Sequence, residues 1–227
     1  MLPGTQLETR TRHIVWDWNG TLLDDNHAVL AAVNAVCAEF DREQVDLPEW
    51  RSVFSRPLRQ CYERLLRRSI DEQDWARIDL LYHRAYRDLL HTCGLADDVP
   101  TALREWSRAG GSQSLLSMWF HDELVPLVTE MGLHEFFDRV DGLRHEVGGG
   151  SKAEHLEHHL AEQELDPREV VLIGDVVDDA VAAQHAGAGC VLVSTGVMSA
   201  ESLRESGFPV ASSVSEALRV SGYGLPN

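Results

Sequence analysis

Lysine is almost missing from this sequence. Of 227 residues only Lys152 is a lysine, arginine supplies the rest of the 20 basic side chains, and 37 acidic residues leave a formal net charge of −17. A chain this acidic lacks the broad basic face that displaces counterions from nucleic acid or from an anionic bilayer, so neither is an expected partner. Any anion it binds must be held locally. Cysteine is sparse too: Cys37, Cys61, Cys93 and Cys190 lie far apart without a C-x-x-C pair, which indicates neither a zinc knuckle nor a disulfide framework. No run approaches the roughly 18 apolar residues of a membrane-spanning helix, and the opening MLPGTQLETRTRH has no apolar signal-type core. The expectation is a soluble, cytoplasmic protein, monomeric or homodimeric. Hydrophobic residues make up 44% of the chain, enough to build a substantial core.

Short apolar, β-branched runs recur between helical patterns: HIVWDW (13–18), SQSLLSM (112–118), RVDGL (139–143), VVLIGD (170–175) and CVLVST (190–195). Such alternation predicts an α/β protein with a parallel sheet flanked by helices. Between the first two runs lie roughly ninety residues without a convincing strand. There NHAVLAAVNAVCAEF, LPEWRSVFSRPLRQCYERLL and DEQDWARIDLLYHRAYRDLLHT carry apolar residues at helical spacing, punctuated by the turn signals DLP and GLADDVP. We read 26–96 as a helical insertion leaving from the end of the first strand, with 1–25 and 97–227 forming the sheet-bearing domain. HLEHHL brings His155, His158 and His159 near one helical face, which reads as solvated surface because no cysteine or acid of matching geometry accompanies it.

In a parallel α/β sheet the loops at the carboxyl ends of the strands form the binding crevice. Asp17 ends the first run, Ser117 ends the second, Lys152 opens the helix SKAEHLEHHL, and GDVVDD ends the fourth with Asp175, Asp178 and Asp179. Carboxylates from two loops suit Mg²⁺, while a hydroxyl and an ammonium suit an anion, so the set points to a phosphoryl site. Taken singly, each has a plainer role. Asp17 can cap a turn before Gly20, Ser117 can satisfy a strand-end amide, and Asp175 and Asp179 can cap the helix DDAVAAQHAG. Asp178 is assigned to solvent or to that cap.

Four motifs in order make the chain similar to the haloacid dehalogenase superfamily: DWNGT (17–21) for D-x-D-G-T, SLLS (114–117) for a strand ending in Ser or Thr, SKAEHL (151–156) for a lysine before a helix, and GDVVDD (174–179) for G-D-x-x-x-D. The resemblance implies a Rossmann-like core with a helical C1 cap, as in phosphoglycolate-phosphatase-like members, and Mg²⁺-dependent hydrolysis of a small phosphorylated metabolite. It implies that Asp17 attacks phosphorus to form an aspartyl-phosphate that water then hydrolyses. By the same resemblance Mg²⁺ is held by Asp175, the Asp17 side chain and the main-chain carbonyl of Asn19. Ser117 and Lys152 bind the equatorial oxygens, Asp179 orients Lys152 or a metal-bound water, and Gly20 and Thr21 complete the substrate-facing loop.

Asn19 departs from the family pattern. Its main-chain carbonyl serves a metal as well as that of Asp, but its amide can neither protonate a leaving alkoxide nor deprotonate water, work typically worth 10²–10⁴-fold. Asn19→Asp is therefore expected to restore turnover, unless a cap histidine such as His27 or His83 carries the proton. Two branches of the superfamily lack that acid naturally. Phosphonoacetaldehyde hydrolases, with a DWAGT-like motif, need a cap lysine that this chain does not have. Metal-independent dehalogenases usually lack the Gly-Asp pair present here as Gly174-Asp175. The reading is a phosphatase-type hydrolase, and the alternative a catalytically impaired relative that binds a phosphometabolite or a protein partner.

The insertion adds a hint about substrate. RSVFSRPLRQCYERLLRR (51–68) carries six arginines against one acid, Glu63. Most are expected on a solvated face, but SRPL resembles the substrate-facing turn of C1 caps, which makes Arg56 and Arg59 candidates to pair with a second anionic group. Trp18 and Trp119, each close beyond a catalytic position, are expected either to wall the pocket or simply to pack.

Overall fold

The computed structural model describes residues 11–144 and 151–222; the two ends of the expected sheet-bearing domain, 1–10 and 223–227, lie outside the described residues, as do 145–150. In chain order the strands are β1 (His13–Trp16), β2 (Leu23–Asp24), β3 (Gly94–Leu95), β4 (Ser112–Phe120), β5 (Val140–Leu143), β6 (Val170–Gly174), β7 (Gly189–Val193) and β8 (Val210–Ala211). The helices are α1 (Asn26–Glu39), α2 (Leu47–Val53), α3 (Leu58–Leu66), α4 (Glu72–Leu90), α5 (Val99–Arg108), α6 (His121–Glu130), α7 (Lys152–Ala161), α8 (Val177–Ala186), α9 (Ala200–Glu205) and α10 (Val214–Val220).

β1 is buried along its whole length, and its alternate side chains serve two different cores. Ile14 and Trp16 join a cluster with α5, α6, α10 and the helices between β2 and β3, while Val15 joins one built with α7, α8 and α9. A strand buried on both faces belongs in the middle of a parallel sheet covered on both sides. Six strands form that sheet in the order β5-β4-β1-β6-β7-β8, every pairing parallel. The sheet order reverses beside β1, which sets the loops after β1, β4 and β6 together at one edge of the crevice.

The chain leaves and re-enters this core through an antiparallel ribbon in which Leu23 faces Leu95 and Asp24 faces Gly94. Between these strands lie α1 to α4. The stretch LPEWRSVFSRPLRQCYERLL, a single run of helical spacing in the sequence, is two helices. The chain turns extended at Phe54, which ends α2 at Val53, and Pro57, which lacks an N–H, stands just ahead of the start of α3 at Leu58. Starts are marked by acids: Asp46 accepts from Glu49 N and Asp71 from Asp74 N, both at 2.8 Å.

Two other expectations shift. β4 runs to Phe120, two residues beyond the expected end, with an irregular register against β5 between Leu116 and Phe120, so Ser117 lies at a distortion inside the strand rather than at its end. His159 is fully buried rather than on a solvated face. Its Nδ1 lies 2.8 Å from Asp141 Oδ2 and its Nε2 2.7 Å from Ser114 Oγ, which in turn lies 2.7 Å from His13 Nε2. This polar chain ties α7 to β5, β4 and β1 with buried polar groups partnered.

Candidate active site

β1 delivers Asp17 into the crevice, and the Asp17 amide donates to Ile173 O at 2.8 Å, which sets the loop after β1 against the end of β6. Asp17, Asp175 and Asp179 are all buried, and one ligand atom from each lies within 4.8 Å of the others. Lys152, first residue of α7 and also buried, forms ion pairs with both Asp17 and Asp179. Asp179 also caps α8, accepting from Val176 N at 3.1 Å, and Asp175 Oδ2 accepts from Val197 N at 2.9 Å. Asp17 and Asp179 thus share one ammonium away from water, and Asp175 lies beside them without a cationic partner among the described residues.

The charge imbalance appears in the protonation equilibria. Burial pushes Asp17 up to about 6, against the pull of Lys152. Burial, together with Asp17 and Asp179, raises Asp175 well above the carboxylate range. Burial alone would lower the Lys152 ammonium, but Asp17 and Asp179 outweigh it and raise it. Two glycines make the crowding possible: a Cβ on Gly196 would overlap Asp175 Oδ2, and one on Gly174 would overlap Asp179 Oδ2. Asp17, Asp175 and Asp179 are close enough that they could hold a small divalent cation.

The rest of the β1 loop is fixed by a second buried network. Asn19 Nδ2 donates to Asp25 Oδ2 at 2.9 Å and to Tyr86 Oη at 2.7 Å, and Tyr86 donates its own hydrogen to Asp25 Oδ2 at 2.7 Å. Asp25 Oδ1 accepts from Gly20 N at 3.0 Å. Burial raises Asp25, opposed by these hydrogen bonds. Gly20 has φ +69°, and a Cβ there would meet Asp175 Oδ2 at 2.7 Å, so neither backbone nor space admits a side chain. Thr21 Oγ1 lies 3.4 Å from Asp17 Oδ2, and Ser117 Oγ lies 3.5 Å from Asn19 Oδ1 while accepting from Trp119 N at 3.0 Å.

Asp17, Asn19, Gly20, Thr21, Ser117, Lys152, Asp175 and Asp179 therefore converge. Arg59 does not join them: it donates to Ile70 O and pairs with Glu72, bracing α3 against α4. Arg56 reaches the edge of the crevice, 3.5 Å from Asp178, a half-exposed acid in the first turn of α8. Trp119 packs on Tyr86 and His83 of α4, with ring centroids 5.0 and 5.8 Å apart, so it joins the helical insertion to β4. Trp18 is fully buried, and its indole N–H has no hydrogen-bond partner among the described residues. The hydrogen bonds of His27 and His83 go to Thr92 and to Asp79. Sequence reasoning missed Asp25 and Tyr86, as well as Arg51 of α2, which donates to Gly196 O at 2.6 Å. The doubled acid Asp24-Asp25 is the only sign of the first.

Comparison with known proteins shows the family and the fold. The family model described as haloacid dehalogenase-like hydrolase matches residues 14–193. Phosphoglycolate phosphatase 1 of Pseudomonas aeruginosa is 24% identical over 82% of this chain and 70% of its own length. Phosphoglycolate phosphatase of Synechococcus elongatus is 26% identical over 84% of this chain and 87% of its own. Among solved structures, a haloacid dehalogenase-like family hydrolase from Streptococcus pneumoniae superposes with TM-score 0.78 at 18% identity, covering 92% of this chain and 98% of that one.

Proposed function

Because this chain belongs to the haloacid dehalogenase-like hydrolases, we propose that it hydrolyses the phosphate ester of a small metabolite, using Mg²⁺ and an aspartyl-phosphate formed on Asp17. The observation that carries the reading is the meeting of Asp17, Asp175 and Asp179, two of them paired with the single buried lysine. The donor set fits a hard divalent cation: all-oxygen ligands, excess buried negative charge, and glycines at the positions where a Cβ would fill the cradle. Asp17, Asp175 and the Asn19 carbonyl would hold it, with Asp179 behind them. When bound, Mg²⁺ neutralises the repulsion between carboxylate and phosphate and polarises the phosphoryl group.

The chain's own groups do the rest. An Asp17 carboxylate oxygen attacks phosphorus as the ester P–O bond breaks, and water then attacks the same phosphorus to free the carboxylate and inorganic phosphate. Lys152 and Ser117 hold the equatorial oxygens, where charge accumulates. Asp179 keeps the ammonium aimed at Asp17. The helical insertion, 26–96, acts as a cap over the crevice, with Arg56 poised to leave Asp178 for a carboxylate or second phosphate on the substrate. Arg51 and Trp119 hold the cap to the core.

Asn19 supports a second reading, a relative that binds a phosphometabolite or a protein partner without efficient turnover. Mg²⁺-dependent release of nitrophenolate from p-nitrophenyl phosphate, measured against an Asp17→Asn control, separates the two. Activity absent from both proteins favours the second reading, and activity lost only in the variant favours the first. A screen of phosphoglycolate, sugar phosphates and nucleotides then identifies the substrate class.

A further inference from the structure

We propose that Asn19 and Asp25 form a matched amide–carboxylate pair, in which Asp25 and Tyr86 are positioning residues that lock the Asn19 amide with its carbonyl oxygen facing Ser117. Hydrogen count fixes the orientation of the amide. The Asp25 carboxylate has only acceptors, so the side of Asn19 that meets it must be the NH₂ group. Tyr86 commits its one hydrogen to Asp25 and accepts the second Asn19 hydrogen on its oxygen. Gly20 N–H fills the other oxygen of Asp25. Each hydrogen in the ring has an acceptor, and Asp25 and Tyr86 are 1% and 2% exposed, so water cannot readily replace a missing partner.

An acid at position 19 would break this ring. Two carboxylates and a phenol would then share one side-chain hydrogen out of water, a repulsive and undersupplied arrangement. Exchanging both residues restores the count. An amide at position 25 would donate to a carboxylate at position 19 and to Tyr86, Tyr86 would donate to that carboxylate, and the amide's own carbonyl would still accept from Gly20. Position 19 is therefore built for an amide as long as position 25 is an acid. In this chain Asn19 presents the crevice with a fixed acceptor, Oδ1, 3.5 Å from Ser117 Oγ, where it can align the O–H of an attacking water.

The water-aligning role rests on the aspartyl-phosphate reading, but the pairing of positions 19 and 25 does not. A stability cycle therefore tests it independently of activity. Asn19→Asp alone should lower the Tm by about 4 °C or more, and Asp25→Asn alone should lower it as well, whereas the double exchange should return close to the native Tm. Additive losses, or a single Asn19→Asp variant as stable as the native protein, would overturn the pairing. For the positioning role, Tyr86→Phe should slow decay of the phosphoenzyme about 10-fold with KM and burst amplitude retained. An unchanged decay rate would reduce the ring to scaffolding and overturn that role. If no phosphoenzyme forms in any variant, the aspartyl-phosphate reading and the water-aligning role fall together, and the stability cycle still decides the pairing.

Discussion

Arg56 Nε lies 3.5 Å from Asp178 Oδ2, so a side chain of the helical insertion meets the first turn of α8 at the edge of the crevice. Both side chains are about half exposed, at 44% and 45%, and such a pair contributes little to stability. It is correspondingly easy to exchange for a ligand. Arg56→Ala should lower kcat/KM roughly 10- to 100-fold for a phosphate ester carrying a second anionic group and leave p-nitrophenyl phosphate nearly unaffected. Equal losses on both substrates would assign Arg56 to the fold or to the phosphoryl group itself.

The crowded carboxylates make a thermal prediction. Saturating Mg²⁺ should raise the Tm, with a linkage contribution of about 2.7 kcal/mol at a hundredfold excess over Kd. Asp175→Asn takes one carboxylate out of the crowded set, so the variant should gain less from Mg²⁺ than the native protein. Chelation should abolish hydrolysis. Full activity in rigorously metal-free buffer would remove Mg²⁺ from the mechanism.

Leaving-group dependence follows from Asn19. With no proton donor at that position, esters of good leaving groups such as nitrophenolate should outrun alkyl esters by an unusual margin. If the second step lacks its base as well, mixing enzyme with p-nitrophenyl phosphate should give a burst approaching one nitrophenolate per site before slow turnover. A linear time course and ordinary rates on alkyl phosphates would mean that another group carries the proton. The simple repair, Asn19→Asp, is no longer the expected cure, because Asp25 already occupies the space its charge would face.

Acid sensitivity should originate partly at β1. Burial and the neighbouring His159 lower His13 from 6.5 to about 4. Between those values the unfolded chain binds a proton that the native protein refuses, so stability falls as pH drops through that window. It is intact above the unfolded value, and the loss is of order 3 kcal/mol. The Tm of a His13→Gln variant should have a flatter pH dependence there, by about one proton. An unaltered slope would place the effect on other groups.

What could be read from the sequence, and what could not, divides along a physical line. Asp17, Lys152, Asp175 and Asp179 are visible because each follows or opens a regular element whose periodicity fixes where the residue emerges. Asp25 and Tyr86 are not, since their meeting depends on how α4 folds back on the β1 loop across 61 positions of sequence. Arg56 and Arg59 share one basic run, and only the packing of α3 on α4 sends the second to Ile70 and Glu72 while leaving the first at the crevice. His159 reads as surface because HLEHHL offers no local clue that Asp141 and Ser114 wait opposite. In the insertion, Pro57 marks a break that the helical spacing around it conceals.

The solitary lysine also makes the protein its own reporter. Lys152 is 8% exposed and held between two carboxylates, so amine-directed reagents should find almost no reactive side chain while the crevice is intact. Acylation at Lys152 should track the opening of the crevice one event at a time, without interference from any other side-chain amine. The same chemistry that makes the residue indispensable to an anion makes it a single-site probe of the motions that admit one.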